Sequence, residues 1–385
     1  MSKHLLLTGA TGLVGQYMLR DFLQDGVPTA VVVRALERES AHDRVDKVLA
    51  HWEKASGLDL ARPVCLEGDI TLPGLGLGAV ERQWVARHCG PVVHNAASLQ
   101  LFGQDRNEEP WLSNLTGTAN VLDFCHETGL RELHYVSTAY VCGRRTGLVL
   151  ESELDAGQDF HNDYERCKFE AEKLVRAADW LDSLTVYRPG IIVGDSRTGY
   201  TSTYHGLYLY LRWVWLYSQA IPREADGRYH APLRMRFWGN ESCHLVPVDW
   251  VALVIASLVQ RHKFHGETYH LTQQDPLTAR EMEETLGAYF NYYGPTFGGP
   301  DVSGQEDWSE LEEAFHAMVT PYQQYWNPNL DFNSRNLQSA LPHLACPKID
   351  RAMLNRLIDF AIQDEWGRCR KRRAPRRQAR DTSTA

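Results

Sequence analysis

The sequence predicts an α/β protein: a doubly wound parallel sheet followed by a smaller, mostly helical C-terminal lobe. Three observations carry this expectation. A glycine-rich turn near the start joins a short apolar run to an amphipathic helix, in "KHLLLTGATGLVGQYMLRDFLQDG". Strand-like and helix-like segments then alternate, which winds helices around a parallel sheet. After "GDSRTG" the composition shifts to an aromatic and leucine-rich stretch, "YHGLYLYLRWVWLYS" at 204–218.

Composition sets the outer bounds. A chain of 385 residues with 43% hydrophobic and 23% charged residues is ordinary for a globular enzyme of one large or two smaller domains. The opening apolar run is too short for a signal peptide, and no stretch reaches the roughly 18 apolar residues a spanning helix needs. The eight cysteines are scattered, with no C-x-x-C and no Cys/His cluster at metal-ligand spacing. That pattern suits reduced thiols in a cytoplasmic protein without structural metal. Net charge is −9, yet "RCRKRRAPRRQAR" (368–380) holds eight basic residues and no acid. The body is therefore acidic, at about −17, which argues against nucleic acid as a partner. The basic segment reads as a disordered tail, 367–385, suited to weak contact with an anionic surface.

The first strand runs from His4 to Leu7 and the helix after the turn ends at Gly26. Between them Gly9, Gly12 and Gly15 fall as G-x-x-G-x-x-G. Glycine lets the N–H groups of a cradle spanning Thr8, Gly9, Thr11, Gly12, Leu13, Val14 and Gly15 approach a pyrophosphate at a helix N-terminus. The next strand, "TAVVVRAL", ends near Arg34. An acid there would hold a ribose 2′-hydroxyl, whereas arginine suits a 2′-phosphate, with Arg44 placed to join it. The expected cofactor is therefore NADPH, with NADH the alternative. "VCLEGDIT" reads as a strand ending at Asp69, beside Ile70, with the carboxylate placed for an adenine amine. "GPVVHNAAS" reads as another strand, after which Asn95 and the small Ala96 and Ala97 permit close approach of backbone to cofactor.

In "NDYERCKFEAEKL", Tyr164 and Lys168 stand at i and i+4, on one face of a helix. Beside a nucleotide site this pair suits a proton relay. Bringing a phenol from about 10 to near 7 takes about 4 kcal/mol, the order an ammonium at about 4 Å supplies at an effective dielectric near 20.

Taken in order, "TGATGLVG", "GDIT", "HNAAS", "NLTGTANVL", "VSTAYV", "YERCK" and "YRPGIIVGDSRTG" resemble the motifs of extended short-chain dehydrogenase/reductases, which have a Rossmann-type fold. With "VVVRALERESAHDRV" and "HLVPVDWVA", the chain looks most like the branch of thioester-reductase domains, carboxylic-acid-reductase terminal domains and fatty acyl-CoA reductases. The resemblance spans roughly residues 4–275. It implies a catalytic trio of Thr138, Tyr164 and Lys168, with Ser137 the second choice for the hydroxyl. It also implies that Pro189, Gly190, Ile191 and Ile192 lie over the nicotinamide. Asn114 matches the family's helix asparagine and equally suits a helix-to-strand hydrogen bond.

Helix 204–218 is apolar on every side, so it reads either as core of the second lobe or as the wall of a hydrophobic site. "HLVPVDWVALVIASLVQ" reads as a return to the sheet and a long amphipathic helix. The rest is helical apart from 292–305, a Gly/Pro loop long enough to act as a lid. The expected domains are a nucleotide lobe, 1–194 plus 242–272, and a substrate lobe, 195–241 plus 273–366. The expected activity is reduction of a hydrophobic acyl thioester, CoA- or carrier-linked, or of a lipophilic ketone or aldehyde. With the cradle starting at residue 8, that substrate would arrive free, as a CoA ester, or on a carrier docking in trans. A sugar-nucleotide epimerase or dehydratase and a non-catalytic NADP(H) sensor are the rival readings, and the sequence leaves oligomeric state open.

Overall fold

Short, mostly buried apolar runs and amphipathic segments between them build the first half of the chain. In order these are β1 (His4–Thr8), α1 (Leu13–Gln24), β2 (Thr29–Val33), α2 (Ala41–Ser56), β3 (Val64–Glu67), α3 (Ala79–His88), β4 (Cys89–His94), α4 (Gly117–Thr128), β5 (Glu132–Val136), β6 (Gly147–Val149), α5 (Asp163–Arg176), β7 (Ser183–Pro189) and β8 (Ile191–Val193). The rest contains α6 (Leu207–Ala220), β9 (Tyr229–His230), β10 (Arg234–Met235), β11 (Ser242–Cys243), β12 (Leu245–Pro247), α7 (Val248–Val259), β13 (Thr268–Leu271), β14 (Leu277–Thr278), α8 (Ala279–Phe290), β15 (Tyr292–Tyr293), β16 (Thr296–Phe297), α9 (Glu310–Gln323), β17 (Leu330–Phe332), α10 (Arg335–Ala340) and α11 (Arg351–Gln363). The computed structural model describes residues 3–299 and 308–368. The basic tail expected at 367–385 therefore lies almost wholly outside the described residues.

Seven strands form one parallel sheet in the order β13-β7-β5-β4-β1-β2-β3. Its register is continuous from Val31 of β2 through Leu7, Val93, His134 and Thr185. Chain order reverses between β1 and β4, which opens the crevice where doubly wound sheets bind ligands, beyond the strand C-termini. The strand "TAVVV" is buried at every position, as expected of a sheet covered on both faces. Helix α2 begins with a capping box between Ser40 and Asp43 and stops at Gly57, whose φ of 70° is left-handed.

The chain divides into two compact units. The first is the chain to Val193 with Gly239–Ala279 and Gln323–Ile349; the second is Gly194–Trp238, Arg280–Tyr322 and the chain from Asp350. Residues Gln323–Ile349, expected in the substrate lobe, belong instead with the sheet unit, because β17 pairs in parallel with β6, Asp331 opposite Leu148. The expected return to the sheet at "HLVPV" is also different in detail. β12 pairs only with β8, and the seventh sheet strand is β13, beside β7. Helix α7 is less amphipathic than its sequence suggests, since it buries residues from Val248 to Val259 on most of its faces and packs on α1.

In the second unit, α6 is not buried all round: Leu207, Tyr208, Leu211 and Val214 are covered, while Leu216 is 48% exposed. Its Tyr210 and Trp213 pack on the cluster of Leu233, Met235 and Phe315. The expected lid loop is pinned over its first part, where β15 pairs with β9 and β16 with β10. Its later residues, 300–305, lie outside the described ones.

A buried ionic knot ties α5 to the sheet. Glu172 accepts from the Arg188 guanidinium at 2.6 and 3.1 Å, from the Ser137 hydroxyl at 2.6 Å, and from Arg176 at 2.7 Å. Arg188 also donates to the Glu153 carbonyl and meets Nε2 of His270, whose Nδ1 donates to the Asn333 carbonyl. Glu172 and Arg188 are almost fully inaccessible, so removing one partner strands the other's charge. Glu172→Gln should therefore cost about 3–5 kcal/mol in urea unfolding with little change in m. A loss below about 1 kcal/mol would mean that the knot does not hold the helix.

Candidate active site

The turn after β1 is shaped by what its glycines must accommodate. Gly9 has a φ of 74°, and a Cβ there would lie 2.7 Å from the Ala96 backbone nitrogen. A Cβ on Gly15 would run into the Gly9 carbonyl, so only glycine lets α1 approach this closely. The N-cap, Gly12, gives α1 no side-chain cap and its first turn holds no acid. Its leading N–H groups, at Leu13 and Val14, are thus turned to whatever binds at the turn, and the helix dipole favours an anion there.

A buried hydrogen-bond chain fixes this turn to the opposite side of the crevice. The Thr8 hydroxyl accepts from the N–H groups of Asn95 and Ala96, each at 3.2 Å, and donates to Nδ1 of His94 at 2.8 Å. The far nitrogen of His94 then donates to Thr118, 3.1 Å away, which in turn donates to the Asn114 carbonyl at 2.7 Å. That order of donors makes His94 neutral with its proton on Nε2. Burial agrees, pushing the imidazole down to about 3. Asn95 adds a side-chain bond to the Gly9 carbonyl at 3.4 Å. His94 is a lock that the sequence reading passed over, although it stands inside "HNAAS".

Arg34 follows β2 and is exposed, with its guanidinium 3.5 Å from Asp69. Arg44, from α2, donates to the Arg34 carbonyl at 2.6 Å and to the Thr11 hydroxyl at 2.7 Å. Both arginines and the cradle thus meet at the C-terminal end of β2. Asp69 is more occupied than expected: β3 ends two residues earlier, at Glu67, and its carboxylate caps the Thr71 N–H and hydroxyl. The neighbouring Ile70 carbonyl accepts from Asn120, and its side chain lies where a Cβ on Gly117 would be, 2.8 Å away.

Helix α5 starts at an Asn162 cap and carries Tyr164, Lys168 and Glu172 at successive i+4 positions. Its first turn is tied to the segment after β4 by Tyr164 N–H to the Leu101 carbonyl and by Asp163 to Gly103. Burial pushes the Tyr164 phenol well above its ordinary value, with the Thr138 hydroxyl acting in the opposite direction. This departs from the expectation of a phenol drawn down near 7 by the lysine. Lys168 is itself buried, donates to the Val136 carbonyl at 2.8 Å, and is pushed down to about 8 by burial.

Thr138 lies just past β5 and is 4% exposed, its hydroxyl 3.4 Å from the Pro189 carbonyl. Ser137, the second choice, faces away into the Glu172 knot. Asn114 sits in a π-turn at Leu112–Thr116, ahead of α4, and spans to Ser98 with bonds of 2.8 and 3.0 Å. These bonds run from the helix to the segment after β4 rather than to a strand. Gly190 sits against the His244 carbonyl where a Cβ would clash, and Ile191 and Ile192 pair with β12. The crevice side of the sheet thus carries Thr138, Tyr164, Lys168, the glycine cradle and Pro189–Ile192 within one unit.

Comparison with known proteins agrees with this fold. Residues 7–255 match the family described as male sterility protein, an NAD-binding family. An isonitrile lipopeptide synthase of Streptomyces coeruleorubidus is 32% identical over 383 residues, covering 93% of this chain and 24% of that protein. An aldehyde reductase of Aspergillus flavus is 31% identical over 301 residues, covering 73% of this chain and 27% of that protein. The matched part of this chain covers between 4% and 39% of the length of curated relatives such as these. The solved terminal R domain of the myxalamid PKS-NRPS pathway shares the fold, with a TM-score of 0.73 at 24% identity over 95% of this chain and 92% of that one. The chain belongs to the male sterility protein family, within the NAD(P)-binding extended short-chain dehydrogenase/reductases that include thioester and fatty acyl-CoA reductase domains.

Proposed function

We propose that this chain is an NADPH-dependent reductase of a hydrophobic acyl thioester, presented on CoA or on a carrier protein in the cytoplasm. The observation that carries the reading is Tyr164 and Lys168 one turn apart on α5, with the Thr138 hydroxyl just past β5 and the glycine cradle in the same unit. Relatives named as nonribosomal peptide synthetases and as a fatty acyl-CoA reductase favour the thioester over a free ketone or aldehyde.

The dinucleotide, when bound, supplies the hydride. The open N–H groups at the start of α1 would hold its pyrophosphate, and Arg34 with Arg44 its 2′-phosphate. Thr138 orients the substrate carbonyl and stabilises charge developing on its oxygen. Tyr164, protonated at neutral pH, gives that oxygen its proton. Lys168, desolvated yet still largely charged at pH 7, offsets the phenolate left behind. Hydride on carbon and proton on oxygen turn a thioester into a hemithioacetal, whose collapse releases a thiol and an aldehyde. A second reduction would yield an alcohol.

Thiol release followed alongside NADPH oxidation tests the reading directly. Long-chain acyl thioesters should release one thiol per turnover, with kcat/KM rising with chain length at up to about 0.8 kcal/mol per buried methylene. NADPH oxidation with ketones alone, and no thiol from any thioester, would replace this substrate by a ketone.

Tyr164→Phe should lower turnover by about two to four decades while NADPH affinity stays near wild type. Turnover within threefold of wild type would remove Tyr164 from the proton-donor role.

Arg34→Ala should weaken NADPH binding by about tenfold or more and leave NADH binding nearly unchanged, as expected for loss of a charge-assisted contact. Equal affinity of the wild type for both cofactors would make Arg34 an ordinary surface residue.

A further inference from the structure

At the opposite end of β5 from Thr138, three potential metal ligands converge. Glu132 opens the strand, His134 stands two residues on and on the same face, and His265 comes from the connection between α7 and β13. One ligand atom from each lies within 4.8 Å of the others. The Glu132 carboxylate oxygen is 3.2 Å from Nε2 of His134 and 3.3 Å from Nδ1 of His265. Ligands on a tetrahedral zinc ion, bound at about 2.0–2.1 Å, stand roughly 3.3–3.4 Å apart.

The hydrogen bonds of the two rings point the same way. Nε2 of His265 lies 3.1 Å from the carbonyls of both Leu258 and Val259, in the last turn of α7. Carbonyls only accept, so this nitrogen carries the proton, and the Nδ1 of a neutral ring presents a lone pair to the Glu132 carboxylate. Two acceptors at 3.3 Å repel unless a metal ion or a proton lies between them. The other nitrogen of His134 meets the Tyr187 hydroxyl at 2.9 Å, a group able to accept from it. Metal-ligating histidines almost always spend their second nitrogen in this manner, on a carbonyl, carboxylate or water. The helix end supplies further favourable field, because the C-terminal carbonyls of α7 carry partial negative charge.

We propose that Glu132, His134 and His265 form a divalent transition-metal site, of the chemistry that suits zinc, with water in the fourth position. The metal clips the α7–β13 connection to the start of β5. It is structural: Thr138 lies four residues beyond His134 along an extended chain that rises about 3.3 Å per residue. Ligand spacing in the sequence did not show it, because the two segments are some 130 residues apart and no short motif links them.

The test uses the full chain, stripped with a chelator and titrated with Co²⁺, which absorbs visibly in a tetrahedral site. One Co²⁺ per chain should bind and be displaced by Zn²⁺, and Zn²⁺ should raise Tm by roughly 3 °C or more. His265→Ala and Glu132→Gln, both at partly exposed positions, should each weaken binding at least tenfold and abolish the Tm rise, with far-UV circular dichroism unchanged. No stoichiometric Co²⁺ or Zn²⁺ on the wild type would overturn the site, leaving a protonated His265 as the cation beside Glu132. Undiminished binding in either variant would overturn it equally, by moving the metal to other histidines.

Discussion

The arrangement of the site depends on the buried pair of Glu172 and Arg188. Tyr164, Lys168 and Glu172 share one stripe of α5, so whatever fixes Glu172 fixes the other two. Arg188 sits in β7, immediately before Pro189, and Ser137 immediately before Thr138, and both donate to the same carboxylate. One anion thus sets the helix register, the end of β5 and the end of β7 together. Burying two charges is costly, and the cost is offset only where every lone pair and proton finds a partner. A one-residue slip of α5 would rotate the stripe by about 100° and leave both charges unpaired. The pair specifies geometry more than it adds stability.

The second constraint is close approach of backbone to backbone. Gly9 against Ala96, Gly15 against Gly9, and Gly190 against His244 bring three loops nearer than any side chain allows. The Thr8–His94–Thr118 chain holds the first of these contacts without a charge, since the imidazole is kept neutral by burial. A neutral lock leaves the local field to the open end of α1 and to the two arginines. That field suits an anion.

Much of this was legible in the sequence because it rests on local signals. The strand–glycine–helix start, the pairing of Tyr164 with Lys168 and the parallel winding all follow from spacing within a few residues. What was not legible depends on contacts far apart in sequence. Glu172 looks like one more solvated acid in "FEAEKL", and only Arg188, folded beneath it, reveals a buried charge. The two-residue strands β15 and β16 carry no periodicity, so 292–297 read as loop, and the return of Leu330–Phe332 to β6 left no trace in either segment. Ser137 and Thr138 were adjacent candidates with equal chemistry. Strand alternation sends Ser137 to the knot and Thr138 to the Pro189 carbonyl, a distinction that needed the register of β5.

Burial acts on the relay in a direction that bears on which way the proposed reaction runs. It raises the phenol and lowers the ammonium, favouring the uncharged form of each. Reduction requires a proton on Tyr164 at the start, and a raised phenol holds one throughout the neutral range. Oxidation of an alcohol requires phenolate at the start, which the same burial makes scarce. A lysine near 8 keeps enough positive charge at pH 7 to receive the phenolate once it forms, without drawing the proton off beforehand. In the proposed role, a phenol whose proton is held by burial suits donation to a carbonyl oxygen better than removal of an alcohol proton.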